Sequence, residues 1–166
     1  MKQKRNNKST FFWVGGLIVV AIILLGWNSF KGLFVDTTTA STREVATSCT
    51  TDMATQFHIH PHLQIIINGV TQEVPTNVGI SLSCMHPLHT HDTSGTIHVE
   101  SPEKRDFTLG DFFFVWGKTF TRDQVLDYKV DANHEIVLTA NGSVSQDYEN
   151  LVLNDLEKIV IEYKTK

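Results

Sequence analysis

The histidines form the pattern with the clearest chemical meaning in this 166-residue sequence. Seven of the eight fall between positions 58 and 98. His58, His60 and His62 lie two apart, and side chains two apart on an extended strand project from the same face. His89 and His91 repeat that spacing. Two such pairs on neighbouring segments could offer four imidazole nitrogens to one ion at about 2.0–2.1 Å, which suits Zn²⁺ or Cu²⁺.

These spacings predict one metal site. We expect its main ligands to be His60, His62, His89 and His91, with His58 and His98 as peripheral or substitute ligands. Asp92 directly follows the second pair and is expected to orient a ligand imidazole by accepting its other N–H. The alternative for any one histidine is a surface position or a hydrogen-bonded structural role. His134 stands apart in a polar loop and is expected at the surface.

The two cysteines allow two interpretations. A disulfide between Cys49 and Cys84 would tie the segment before the domain to the histidine region, and disulfides persist outside the cytoplasm. Alternatively, Cys84, Met85 and His86 place soft sulfur beside imidazole, which would favour copper. The even number of cysteines favours the disulfide.

The elements that position these side chains are mainly strands. Asn68-Gly69 and Asn141-Gly142 each follow an apolar run, and Asn-Gly is a strong hairpin signal because both positions accept positive φ. Residues 96–100 and 159–163 also have strand-like patterns. The sequence therefore predicts two hairpins and at least two further strands.

One short helix is expected among the strands. Thr108 and Asp111 have the spacing of a capping box, and Gly117 supplies a stop signal. Between them an apolar face recurs at helical spacing, through Leu109, Phe112, Phe113 and Trp116. We expect an α+β chain whose small, mainly β domain is β-grasp-like, and a cupredoxin-like β-sandwich is the alternative.

The N-terminal region has the pattern of a membrane anchor. Residues 11–30 carry no charged side chain, and about 20 apolar residues suffice for a transmembrane helix. Residues 1–10 contain four basic residues and are expected to be a cytoplasmic tail, which places the C-terminal part outside the cytoplasm. Residues 31–56 are predicted to be a linker and residues 57–166 an extracytoplasmic His-rich domain. A cleaved signal peptide is the alternative.

The distribution of charge argues against a nucleic-acid partner. The net charge is −4, but the chain after residue 10 carries 10 basic and 18 acidic side chains. Such an acidic body repels phosphates. The partner that the sequence does indicate is the lipid bilayer, through residues 11–30.

Four stretches of the chain resemble a family of uncharacterised prokaryotic domains that are membrane-anchored or exported. The family pattern is H-x-H-x-H-L, P-L-H-T-H-D, I-H-I/V-E-S-P and F-T-L-G-x-F-F-x-x-W-G, and the resemblance covers roughly residues 57–163. The matching positions are His58, His60, His62, Leu63, His89, Thr90, His91, Asp92, His98, Glu100 and Trp116. The resemblance implies one shared site and assigns it no activity.

Three functions remain open at this point. The first is a membrane-anchored module that binds copper or zinc outside the cytoplasm, with metal handling as its expected role. The second is a structural or partner-recognition domain in which the histidines hydrogen-bond a loop. The third is a metal-dependent hydrolytic enzyme, which the sequence favours least because it contains neither an HExxH nor a GxSxG motif. No catalytic residue is predicted.

Overall fold

The computed structural model describes residues 40–49 and 56–166. The predicted cytoplasmic tail (1–10), the predicted transmembrane helix (11–30) and most of the predicted linker (31–56) lie outside the described residues. Within the described residues, no helix is both long enough and apolar enough to cross a bilayer. Residues 41–166 form one compact unit.

The described chain alternates short strands with a few helical turns. In chain order, the elements are α1 (Thr42–Ala46), β1 (Phe57–Ile59), β2 (His62–Ile67), β3 (Val70–Gln72), β4 (Ile80–Ser81), β5 (Cys84–Met85), β6 (Leu88–His89), β7 (His98–Ser101), α2 (Leu109–Trp116), β8 (Phe120–Thr121), β9 (Gln124–Val125), β10 (Tyr128–Lys129), β11 (His134–Ala140), β12 (Ser143–Ser145), a 3₁₀ turn (Tyr148–Asn150) and β13 (Lys158–Thr165).

The largest sheet has five strands in the order β12-β11-β13-β2-β3. The central strand, β13, is parallel to its neighbour β2, and every other pair in this sheet is antiparallel. Asn68 and Asn141 have φ of 50°, and the glycine after each also has positive φ, as a two-residue hairpin turn requires. Both predicted Asn-Gly hairpins are therefore confirmed, and they form the two ends of this sheet.

The helix α2 was also expected, and its ends form as the sequence predicts. The Thr108 hydroxyl accepts the N–H of Asp111, whose carboxylate accepts the Thr108 N–H at 2.9 Å. Gly117 ends the helix with φ of 70°. Phe112 and Phe113 are buried, so the aromatic face belongs to the core. Small β-sheets with a short packed helix place the described chain in the expected α+β class.

A three-stranded sheet, in the order β1-β7-β6, carries His58, His98 and His89, one on each strand. Its core side is made by Val99, Leu88 and Ile59, which are buried neighbours across the three strands. Alternation along the strands then places the residues between these apolar side chains on the opposite face. That face is where the candidate site lies.

Candidate metal centre

Strand pairing brings the histidines of three segments onto one face. His58 on β1 lies opposite Glu100 on β7, and His89 on β6 lies opposite His98 on β7. Directly paired residues of antiparallel strands project from the same face of the sheet, with their Cβ atoms about 4.5–5.5 Å apart. The register therefore fixes four potential ligands side by side before any metal is bound.

A first group of donor atoms consists of His89, His91, His98 and Glu100, all within 4.8 Å of one another. The Nε2 atoms of His89 and His91 are 3.2 Å apart. Two nitrogens bound tetrahedrally to one ion at 2.0–2.1 Å would be separated by about 3.3 Å. Glu100 Oε1 lies 3.8 Å from His89 Nε2 and 3.7 Å from His98 Nδ1. The group is slightly wider than one four-coordinate site, so its donor atoms must close in to share an ion.

His89 is oriented by the backbone. Its Nδ1 lies 2.9 Å from the carbonyl oxygen of His86. A carbonyl can only accept, so Nδ1 carries the proton and Nε2 keeps its lone pair for a metal. The ring is fully buried, and this burial lowers the pKa of His89. The His86 carbonyl and Glu100 act in the opposite direction and raise the pKa, but their effect is smaller than that of burial. His89 is thus held neutral and aimed at the centre.

His98 lies in the middle of the group. Its ring is edge-on to those of His91 and His60, with centroids 4.6 and 4.7 Å away, and is stacked on His89. The pKa of His98 is lowered to about 4. The largest cause is desolvation by burial, and the next are the charges of His91, His89 and His60. Its Nδ1 is buried and has no hydrogen-bond partner within the described residues. A neutral ring nitrogen that makes no hydrogen bond and lies 3.7 Å from a carboxylate oxygen is suited to bind a metal ion.

His58 and His60 form an overlapping second group with His98. The rings of His58 and His60 are 4.4 Å apart, and His58 Nε2 lies 3.1 Å from Glu100 Oε1. The N–H of His60 donates to the carboxylate of Asp155 at 2.9 Å, which holds the backbone at the end of β1. Both histidines therefore line the same centre, on its more exposed side.

The structure does not bring His62 into either group. The expected single strand is divided at Pro61, because β1 pairs in the three-stranded sheet while β2 begins at His62 and pairs in the five-stranded sheet. The alternation that unites His58 and His60 therefore does not continue to His62. Its exposed side chain instead lines an open cleft of about 440 Å³ beside Gly95.

Asp92 is likewise engaged elsewhere. Its carboxylate accepts the N–H of Ser94 at 2.8 Å, and the Ser94 hydrogen bonds lower the pKa of Asp92. The orienting role expected of Asp92 is filled for His89 by the His86 carbonyl. His134, as expected, lies outside both groups and pairs with Asp131.

Glu100 was not among the predicted ligands. A signal for it exists in the sequence, since Glu100 follows His98 by two residues on a strand and must share its face. The Glu100 carboxylate adds a negative charge to the first group, which the three neutral imidazoles cannot supply to a cation.

Comparison with known proteins returns no matching family model, curated protein or solved structure.

The predicted disulfide is confirmed. Cys49 and Cys84 are joined, with Cα atoms 5.0 Å apart, and no cysteine of the chain is free. The alternative copper–thiolate site at Cys84 is therefore not present in this oxidised form. The His86 ring lies beside the bond, with Nε2 3.9 Å from Cys84 Sγ.

Proposed function

We propose that this protein is a metal-binding module whose ion is held by His89, His91, His98 and Glu100. The observation that carries the proposal is the buried Nδ1 of His98, which has no hydrogen-bond partner among the described residues. Leaving such an atom unsatisfied costs about 1–3 kcal/mol, and a bound ion would remove that cost. The neighbouring donors are already within 4.8 Å of one another, so an ion would draw together side chains that share one face of the sheet.

The donor chemistry selects zinc or copper. Three imidazoles and one carboxylate match a tetrahedral zinc site, and imidazole-rich sets also bind Cu²⁺ tightly. Calcium and magnesium prefer sets made of oxygen alone, so a group with one oxygen donor does not favour them.

The exposure of the centre supports metal handling rather than a sealed structural ion. His89 is fully buried, whereas His91 is exposed and the side chain of His58 is 45% exposed. One side of the ligand group is thus fixed and the other is open to solvent. An ion could enter, or pass to a partner, through the exposed side without unfolding the domain.

We further propose that the module acts outside the cytoplasm, anchored by residues 11–30. The disulfide supports an oxidising compartment, and the basic residues before position 11 support the orientation. The order of the strands in the five-stranded sheet supports a β-grasp-like fold. The strands that come first and last along the chain, β2 and β13, are parallel neighbours inside the sheet.

A metal titration of the full chain tests the proposal. The protein is produced without a His tag, purified in detergent, stripped with chelator and titrated with Zn²⁺ and Cu²⁺. We expect wild type to bind at least one of the two ions in a stoichiometric amount. The variant His91→Ala should weaken binding at least tenfold, while the matched controls His62→Ala and His134→Ala should bind as wild type does.

Two results would contradict the proposal. If neither ion binds, the histidines have a structural role and the proposal is wrong. If His62→Ala weakens binding as much as His91→Ala does, the ion occupies a different group of residues.

A further inference from the structure

A third group of donor atoms takes no part in the centre described above. Cys49, Cys84 and His86 each offer one donor atom, and these atoms lie within 4.8 Å of one another. The two sulfurs are joined in the structure, and it is the thiolate, produced only by reduction, that acts as a metal ligand. We propose that reduction of the Cys49–Cys84 disulfide creates, together with His86, a second metal site that takes a soft ion, Cu⁺.

The tautomer of His86 is already set for this role. Its Nδ1 lies 2.8 Å from the carbonyl oxygen of Ser48. Because a carbonyl can only accept, Nδ1 is the donor and Nε2 retains its lone pair. Ser48, whose carbonyl fixes this tautomer, directly precedes Cys49. The same short segment therefore supplies one sulfur and holds the imidazole.

The donor atoms are close together, but they are not yet placed around one ion. Cys84 Sγ lies 3.9 Å from Nε2 and 4.0 Å from Nδ1 of His86, so the sulfur does not yet lie on the lone-pair side of Nε2. An ion that binds sulfur at about 2.3 Å and imidazole at about 2.0–2.1 Å separates the two atoms by about 3.6–3.8 Å. Once the sulfur–sulfur bond is broken, the cysteine side chains are free to rotate, and a thiolate that turns towards Nε2 can reach this separation. Two thiolates and one imidazole favour Cu⁺ because soft ligands select soft ions.

The reaction requires a dithiol reductant. The reductant gives up two electrons and two protons and closes its own disulfide, and Cys49 and Cys84 become two thiols. Cu⁺ then replaces the thiol protons, which pass to water. Cys49 is exposed, so an attacking thiolate can reach its sulfur, whereas Cys84 and His86 are half-buried.

His86 also joins this site to the histidine centre. Its ring contacts the cysteines, and its carbonyl accepts the proton of His89 Nδ1 at 2.9 Å. The donor atoms of the two sites are nevertheless different, so the second site does not require that the first be correctly assigned.

The test uses the full chain in detergent, without a His tag and without oxygen. The disulfide form and a phosphine-reduced form are titrated with Cu⁺ buffered by a chromogenic copper(I) chelator. We expect the reduced form to bind one Cu⁺ more than the disulfide form does. This additional ion should be lost in Cys49→Ser/Cys84→Ser and bound at least tenfold more weakly in His86→Ala. His134→Ala is the matched control and should retain it.

The same experiment separates the two sites. His91→Ala should retain the additional Cu⁺, because it alters only the histidine centre. Copper X-ray absorption of the reduced wild-type chain should show two sulfur ligands and one nitrogen ligand, and this readout remains valid if a cysteine variant does not fold. The proposal is overturned if reduction adds no Cu⁺, or if the added copper has no sulfur ligand.

Discussion

His89 and His98 are partners in the register between β6 and β7, and their rings stack with centroids 5.3 Å apart and planes 15° from parallel. Burial is the main cause that lowers the pKa of both residues, and the pKa of His98 falls to about 4. At neutral pH, the metal-free centre therefore holds two adjacent neutral imidazoles. Neutral imidazole is the form that binds metal, so the apo centre pays no deprotonation cost at these two positions.

This pKa shift predicts that the metal-free protein loses stability in acid. In the unfolded chain, His98 titrates near its ordinary value of about 6.5, so between pH 6.5 and about 4 the unfolded chain binds more protons than the folded chain. Stability should therefore fall as the pH is lowered through that window. Urea denaturation at pH 7 and pH 5 measures the fall, which should be smaller in His98→Gln. An equal fall in His98→Gln and in the control His134→Gln would show that His98 is not responsible.

Glu100 should matter to metal affinity, and Asp92 should not. Glu100 Oε1 is within 3.8 Å of both His89 and His98, whereas the Asp92 carboxylate is bound by Ser94. We expect Glu100→Gln to raise the Kd for zinc or copper at least tenfold, or about 1.4 kcal/mol. Asp92→Asn should change it less than twofold. Calorimetric titration of the two isosteric variants measures both values, and a larger effect from Asp92→Asn would restore the orienting role first expected of it.

The aromatic face of α2 should be a stabilising core element. Phe113 is 1% exposed, whereas Phe114 is 57% exposed and contacts Arg43 through its ring face. We expect Phe113→Ala to cost about 3–5 kcal/mol of unfolding free energy. Phe114→Ala should cost about 1 kcal/mol, since it loses only a surface cation–π contact. Urea denaturation compares the two, and equal costs would mean that the helix does not bury Phe113.

The disulfide should stabilise the fold by restricting the unfolded chain. Cys49 and Cys84 are separated by 35 residues, and the chain-entropy model assigns a loop of that size about 3–4 kcal/mol. Cys49→Ala/Cys84→Ala should therefore lower the unfolding free energy by about that amount. Wild type treated with reductant should show a similar loss. An unchanged urea midpoint in the double variant would show that the disulfide does not stabilise the fold.

Local signals in the sequence were sufficient to predict several elements. The Asn-Gly turns, the capping box at Thr108 and the glycine stop at 117 depend on a few adjacent residues, and each forms as expected. The cysteine pairing was also correct. The turns and helix ends require only local conformational preferences. The cysteine prediction required only a choice between a disulfide and two free thiols.

The ligand group was harder to predict because it depends on which strands pair. The alternation rule united His58, His60 and His62, but Pro61 divides that segment between two sheets and separates His62 from the others. The placement of Glu100 opposite His58 is likewise a consequence of register between distant segments. Spacing can show which residues share a strand, and it cannot show where one strand ends and the next joins another sheet.

The position of a bound ion would identify its ligands. Crystals of the zinc-loaded chain, measured on both sides of the zinc absorption edge, would locate the ion by its anomalous signal. We expect a peak about 2.0–2.2 Å from one ring nitrogen each of His89, His91 and His98 and from a Glu100 oxygen. A zinc peak at His62 or His134, or no peak at the face shared by β6 and β7, would show that the proposed ligand group is wrong.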